Sequence, residues 1–231
     1  MLRCSHVVCK VDDIGAAVRD FAGAGFSVEW GSDPRRARNA LIWFSQGPFI
    51  ELFEVPPAYG MLRWPFTVLY GRAAGERLAR WTRSGRGWCD VALETDATDL
   101  APARAALRAA GVNVSRVIEG SRTRPDGQRV RYQLLMPLSA RLPFVVSAYD
   151  PPQRPQRVVH TNGAQQIARV HLAVSAADRR RYDALAGDDA WLHPEEATET
   201  RVLRVELRGL RDELDPSRLH GAVLTSTRTP A

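Results

Sequence analysis

Glu51 interrupts the apolar heart, Phe49 to Phe53, of the stretch from Gln46 to Val55, QGPFIELFEV. Side chains alternate faces along a strand, so Ile50 and Leu52 point one way while Phe49, Glu51, Phe53 and Val55 point the other. Glu51 therefore sits among aromatics, where an ionised carboxylate is costly unless a cation or a hydrogen-bond donor meets it. Arg131 or Arg38, from neighbouring strands, would make it half of a buried ion pair. Without such a partner, in a dry cleft, it would be a general base with a raised pKa. A second chemical group lies in SRTRPDGQRVRY. Pro125-Asp126-Gly127 is a hairpin turn, and arginines recur with period two on its arms, Arg122 and Arg124 on one, Arg129 and Arg131 on the other. One pair would clamp a carboxylate, phenolate or phosphate bidentately; the alternative is a solvated basic hairpin.

The elements that position these groups form a repeat. SHVVCKV alternates as a strand, Asp12 and Asp13 offer N-caps, and Ile14, Ala17, Val18 and Phe21 recur at helical spacing up to Gly25. Strands follow at FSVEW, NALIWF and PFIELFEV, giving a β-α-β-β-β module over residues 1–57. An insertion, residues 58–86, is less regular and looks helical from Glu76 to Arg83. The pattern then returns over residues 87–150: a strand WCDVALETD, an Ala-rich helix stopped by Gly111, and strands VNVSRVIEG, QRVRYQLLMP and LPFVVSAYD. The period is roughly 90 residues, and two such copies are expected to complete one core. A linker rich in Pro, Gln and Arg, residues 151–166, leads to a shortened third copy at 167–211, where Ser175 and Asp178 suggest a capping box. Residues 212–231 read as a polar tail expected to fray. The predicted class is α+β, with a curled mixed sheet around a cleft.

At 231 residues, 45% hydrophobic and 25% charged, the chain suits a soluble globular protein with a substantial core. Its net charge of +6 comes almost wholly from arginine, Lys10 being the one lysine. No stretch interleaves basic and aromatic residues as a nucleic-acid groove would, so no nucleic-acid partner is expected. Cys4, Cys9 and Cys89 make neither a C-x-x-C pair nor a disulfide framework. No apolar run approaches the roughly 20 residues of a membrane span, and no signal-peptide segment precedes the first strand, so the expected location is cytoplasmic, without membrane association.

Paired β-α-β-β-β modules, with HVV-x-x-V-D-D-I-x-A-A-V, GF-x-V, NALI-x-F and IEL in order, then SRTRPDGQRVRY, LPF and HTNGA, resemble the vicinal oxygen chelate superfamily and, within it, its glyoxalase-like families. The resemblance covers about residues 4 to 165. Relatives of this kind hold a metal with the first and last strand of each module. It implies His6 and Glu51 as ligands from the first module, and strand parity agrees, because Val7, Cys9 and Val11 make the apolar face and leave His6, Val8 and Lys10 opposite. In the second module Asp90 overlays His6, and the place of Glu51 falls on Val146 or Ser147. The implied ligand set is His6, Glu51 and Asp90, with Zn, Fe, Mn or Ni as the divalent metal. A metal-free site with Glu51 as base and His6 as its partner is the alternative.

Arg122, Arg124, Arg131, Trp43 and Ser147 are the expected substrate contacts, and an insertion holding Tyr59, Trp64 and Phe66 suits a lid over a hydrophobic substrate. His160 and Asn162 belong to a loop that the resemblance places near the cleft. His171 opens the third copy where His6 opens the first, but Glu206 is expected in solvent and no second metal site is expected. The superfamily hosts many reactions. The leading expectation is a lyase, isomerase or cyclase acting on a small oxygen-rich metabolite, in secondary metabolism. An antibiotic-sequestering binding protein comes second and an extradiol-type dioxygenase third, the last lacking a second histidine. Homodimers are common in such relatives.

Overall fold

The computed structural model describes residues 2–83 and 85–227. The first module runs β1 (Arg3–Val11), α1 (Ile14–Gly23), β2 (Glu29–Trp30), β3 (Asn39–Ile42) and β4 (Phe49–Glu54). Asp13 caps α1 by accepting from the Ala16 amide at 2.8 Å, and Gly25 turns the chain away from it at φ 85°. The insertion holds a 3₁₀ turn, Pro57–Leu62, then α2 (Arg63–Tyr70) and α3 (Arg72–Trp81). Only the second of these helices was expected. Pro65 hides α2 from a sequence reading, yet it lies in the first turn, where a missing N–H costs nothing.

The second module comprises β5 (Gly87–Glu94), α4 (Ala101–Ala109), β6 (Ile118–Thr123), β7 (Arg129–Leu135) and β8 (Phe144–Val146). Together the modules make an eight-stranded sheet ordered β2-β3-β4-β1-β5-β8-β7-β6. β1 and β5 meet antiparallel at the centre, each flanked by a parallel partner, β4 and β8. The back face carries Val7, Cys9, Ile50, Leu52, Val91 and Leu93, all buried in one continuous core. Ile50 and Leu52 are fully buried, and each contributes about 2 kcal/mol of apolar burial. The other face, with His6, Val8, Glu51 and Phe53, curls around a hollow.

The last part is larger than a half-copy. β9 (Gln166–Ser175), α5 (Ala176–Ala186), β10 (Leu192–Ala197), β11 (Arg201–Arg208) and β12 (Leu224–Ser226) build a second sheet ordered β10-β9-β11-β12. Its pairings, parallel, antiparallel, parallel, repeat those of β4-β1-β5-β8. Its apolar face, including Val170, Leu172, Val205 and Leu207, packs into the same core behind the first sheet. The expectation of a fraying tail fails from Asp212 to Thr227: Leu219, Ala222 and Leu224 are buried and β12 pairs with β11. Residues 228–231 lie outside the described residues. The capping box at Ser175 is also replaced, since Thr200 Oγ1 accepts from the Ser175 amide at 3.1 Å and donates to Asp178 at 2.7 Å.

The linker is a strap tied to the first module. Arg154 donates to the carbonyls of Phe44 at 2.7 Å and Gly47 at 2.5 Å and lies over the Trp43 ring. His160 accepts from the Ser27 amide at 2.9 Å through Nδ1 and faces the Trp43 carbonyl at 3.0 Å through Nε2. Asn162 caps the end of α1 through the Ala24 carbonyl at 2.9 Å. These two loop residues are thus spent on attachment, and neither lines the hollow. Where the strap ends, Gly163 and Gly209, both at positive φ, cross so closely that a Cβ on either would lie within 2.6 Å of the other's carbonyl oxygen.

Candidate functional site

The curled face lines a half-open cavity of about 180 Å³. β1 supplies His6 and Val8, β4 supplies Phe49, Glu51 and Phe53, β7 supplies Tyr132 and Leu134, and β8 supplies Phe144 and Val146. Asn39 and Leu41 from β3, Trp81 from α3, Arg122 from β6, Tyr149 just after β8 and Gln153 from the strap complete the walls. The lining is aromatic with a few convergent polar groups, the usual make-up of a small-molecule site.

At its centre His6 Nε2 lies 3.2 Å from Glu51 Oε2, and Asn39 donates to Glu51 Oε1 at 2.8 Å. Register explains the meeting: Val8 pairs with Glu51 on the parallel strand β4, so His6 and Glu51 share one face two positions apart. Phe49 stacks on the His6 ring at 4.6 Å and Phe144 meets it edge-on at 5.7 Å, which fixes the imidazole plane. On its far side His6 Nδ1 faces Ser5 Oγ at 3.1 Å, and Ser5 donates to Glu94 Oε2 at 2.9 Å.

Burial pushes the Glu51 carboxyl up. The hydrogen bond and charge of His6, the Asn39 amide and nearby Arg122 outweigh it and hold the group below the ordinary carboxylate value. The sequence expectation of a raised pKa took burial alone and is corrected here; neither Arg38 nor Arg131 is the partner. Arg38 pairs with Glu54, and Arg131 is exposed. Burial, then the Glu51 charge, pushes the Tyr149 phenol well up, and Tyr132 is raised for the same two reasons. Both stay neutral donors at physiological pH, and neither hydroxyl has a hydrogen-bond partner among the described residues.

A matching family profile, described as a glyoxalase-like domain, spans residues 4–186. The chain belongs to this glyoxalase-like domain family. A hypothetical protein from Staphylococcus aureus is 15% identical and superimposes with a TM-score of 0.69, covering 98% of this chain and 99% of that one. The Mn(II)-bound glyoxalase from Novosphingobium aromaticivorans is 14% identical with a TM-score of 0.55, covering 91% of this chain and 67% of that one. At such identities the likeness is one of fold. Comparison with curated proteins returns no match.

Within this glyoxalase-like frame the three expected metal ligands do not come together. His6 and Glu51 meet, but the residue opposite His6 on β5 is Ala92, and Asp90 lies opposite Val8. Asp90 Oδ2 is already occupied by Arg77 at 2.6 Å, Arg80 at 2.8 Å and the Trp81 indole at 2.8 Å, while Oδ1 accepts from the Val91 amide at 3.0 Å. Two cations and an indole claim this carboxylate, so it is a structural anion. The position overlaying Glu51 carries Val146 on the cavity wall. Among the described residues no group of three or more His, Cys, Asp or Glu side chains is arranged to hold a metal. The donors present do not fit a three-ligand centre.

The expected substrate contacts divide. Arg122 lines the cavity, donating to the Gly31 carbonyl and to Gln153 Oε1. Arg124 turns to Asp126 at 3.3 Å, in an adjoining recess. Trp43 is buried behind Phe49, with ring centroids 4.1 Å apart, and does not line the cavity. Ser147 is fully buried and spends its hydroxyl on the Gln133 amide and the Ala148 carbonyl, both at 2.9 Å. Of the expected lid residues, Tyr59 and Trp64 are exposed and Phe66 packs against Ala74, Ile118 and Met136. Trp81 is the insertion's contribution to the cavity. Asn39, Tyr132, Tyr149 and Gln153 were missed; the polar Asn39 at the head of the apolar run NALI was the one available signal.

Proposed function

We propose that this chain is a glyoxalase-like proton-transfer enzyme, an isomerase or lyase acting on a small carbonyl metabolite, with Glu51 as the base. The observation that carries the reading is the ionised Glu51 carboxylate held by His6 and Asn39 in an aromatic cavity beside free phenolic donors. In the step proposed, Glu51 takes a proton from the carbon next to the substrate carbonyl. The C–H electron pair moves onto the carbonyl oxygen, and the enolate is met by Arg122 and the hydroxyls of Tyr132 and Tyr149. The proton then returns from Glu51 to the same or the neighbouring carbon, or a leaving group departs from the enolate. His6 orients the carboxylate, and the aromatic walls keep water away from the carbanion. Secondary metabolism supplies the class of substrate proposed, and the protein is proposed to work without nucleic acid.

Incubation in D₂O with a panel of 2-hydroxyketones and 2-oxoaldehyde thiol adducts tests this, with loss of the substrate α-proton followed by ¹H NMR. The wild type exchanges and Glu51→Gln slows exchange by roughly 10²–10⁴-fold, the usual contribution of a general base. Exchange at the wild-type rate in Glu51→Gln would sink the assignment. The aromatic lining favours one second reading, a non-catalytic trap for a flat ligand. Tight binding without exchange in the same panel would support the trap.

A further inference from the structure

Seven large apolar side chains are exposed among the described residues, and six of them lie between Tyr59 and Leu69. Met61 and Trp64 are 80% and 76% exposed, and Leu62, Val68, Leu69 and Tyr59 are about half exposed. Five of them share one side. At 100° per residue Met61, Leu62, Trp64, Val68 and Leu69 fall on a single arc of α2 and the turn before it, while Phe66 and Tyr70 fall on the opposite arc and pack against Ala74, Ile118 and Met136. A helix apolar on both sides normally has both covered. Exposed apolar side chains gathered on one face of a helix are a sign of an interaction surface.

Charge separates the candidate occupants. No Asp or Glu occurs from Val55 to Gly75. Arg63 and Arg72 flank α2, and the Arg116 guanidinium sits at its C-terminal end, donating to the Val68 and Leu69 carbonyls at 3.2 and 2.8 Å. A second copy in a two-fold contact would bring the same patch against itself. It would face these arginines with arginines, and Glu76, already paired with Arg72, is the nearest acid along the chain. A protein interface needs about one hydrogen bond per 100–200 Å², and the outer arc of α2 offers the Trp64 indole as its one neutral polar group. An anionic bilayer asks for apolar side chains, an interfacial tryptophan and basic residues at the rim, and for nothing else.

We infer that the outer face of α2 is a docking surface for anionic lipid membranes, seated by Met61, Trp64, Val68 and Leu69, with Arg72 and Arg116 beside the C-terminal end of the helix supplying positive charge. No helix of the described residues is long and apolar enough to cross a membrane, so the attachment is peripheral. The sequence expectation of no membrane association considered only a span. The anchored helix packs against α3, which supplies Trp81 to the cavity. The attachment holds whether or not the cavity is catalytic.

Co-sedimentation of the full chain with vesicles tests the assignment. Vesicles of phosphatidylcholine with about one-third phosphatidylglycerol bind the wild type, and binding falls as salt rises. Trp64→Ser with Leu69→Ser weakens binding by roughly tenfold or more, and Arg72→Gln weakens it by roughly fivefold. Far-UV circular dichroism and urea midpoints stay unchanged because these side chains are exposed. Pure phosphatidylcholine vesicles bind weakly. Three results would overturn the inference: no binding to the anionic vesicles, which leaves the face to a protein partner; binding undiminished in the serine variant; or a dimer by light scattering that the serine variant dissolves.

Discussion

Replacing Asp90 with asparagine tests whether this residue is a structural anion or a ligand. The change removes the charge and keeps one acceptor oxygen, which serves either the Trp81 indole and the arginines, as Oδ2 does, or the Val91 amide, as Oδ1 does. Arg77, fully buried, and Arg80, about four-fifths buried, then share no counter-charge. Burial already pulls the Arg77 guanidinium down, and Asp90 is the largest influence raising it. Removing one partner of a buried pair costs about 3–5 kcal/mol. At about 2–4 °C per kcal/mol for a chain of this size, the melting temperature falls by roughly 10 °C. Arg77→Met leaves Asp90 paired with Arg80 and Trp81 and deprives the Leu142 carbonyl of its donor, a loss of about 1–2 kcal/mol. Urea unfolding of both variants and the wild type, by tryptophan fluorescence, reads the comparison. The reasoning is refuted if Asp90→Asn costs less than about 1 kcal/mol, or if Arg77→Met is the more damaging. A ligand Asp90 would give the reverse pattern, with stability kept and metal affinity lost.

Glu51 titrates below its unfolded value of about 4.3, so it adds stability above that value, and the addition is lost as pH falls through the folded value. The stability difference between wild type and Glu51→Gln in urea melts should therefore shrink below about pH 4.3. His160 is held below its ordinary value, chiefly by burial. It binds its proton more readily unfolded, and its contribution is full above about pH 6.5 and declines as pH falls. His160→Ala should cost about 1–3 kcal/mol at neutral pH by orphaning the Ser27 amide, and less at pH values below the folded titration. Gly209→Ala puts a Cβ against the Gly163 carbonyl at positive φ and should cost roughly 2 kcal/mol or more in the same melts.

Much of the site was legible because one face of each strand is buried. Val7, Cys9 and Val11, and Ile50 and Leu52, fix the parity of β1 and β4, and parity alone puts His6 and Glu51 on one face. Asp90 misled because its partners come from a helix inside the insertion, and spacing along the chain says nothing about which helix reaches back. The direction of the Glu51 shift was missed for a similar reason: burial can be read from aromatic neighbours in sequence, whereas Asn39 and Arg122 arrive from other strands. β10, LHPEEA, was invisible as a polar edge strand containing proline. The three-residue β12 is too short to show an alternation, and its burial comes from pairing with β11.

The second sheet repeats more than a strand order. His171 and Glu195 stand in the same register relation as His6 and Glu51, the glutamate opposite the residue two beyond the histidine on a parallel neighbour, with Nδ1 and Oε1 2.9 Å apart. Glu206, expected in solvent, approaches the other ring nitrogen at 3.5 Å, and Arg204 and Arg169 crowd the pair. One polypeptide therefore carries a buried imidazole against a carboxylate in two surroundings, one walled by aromatics and the other crowded by arginines with its carboxylate, Glu195, 39% exposed. The second pair is an internal reference. Chemistry that needs only a histidine against a glutamate would occur at both, whereas chemistry that needs dryness would occur at His6 alone. A labelled probe or inhibitor that distinguishes the two histidines in a single sample would measure what the cavity adds, with sequence, solvent and temperature held identical.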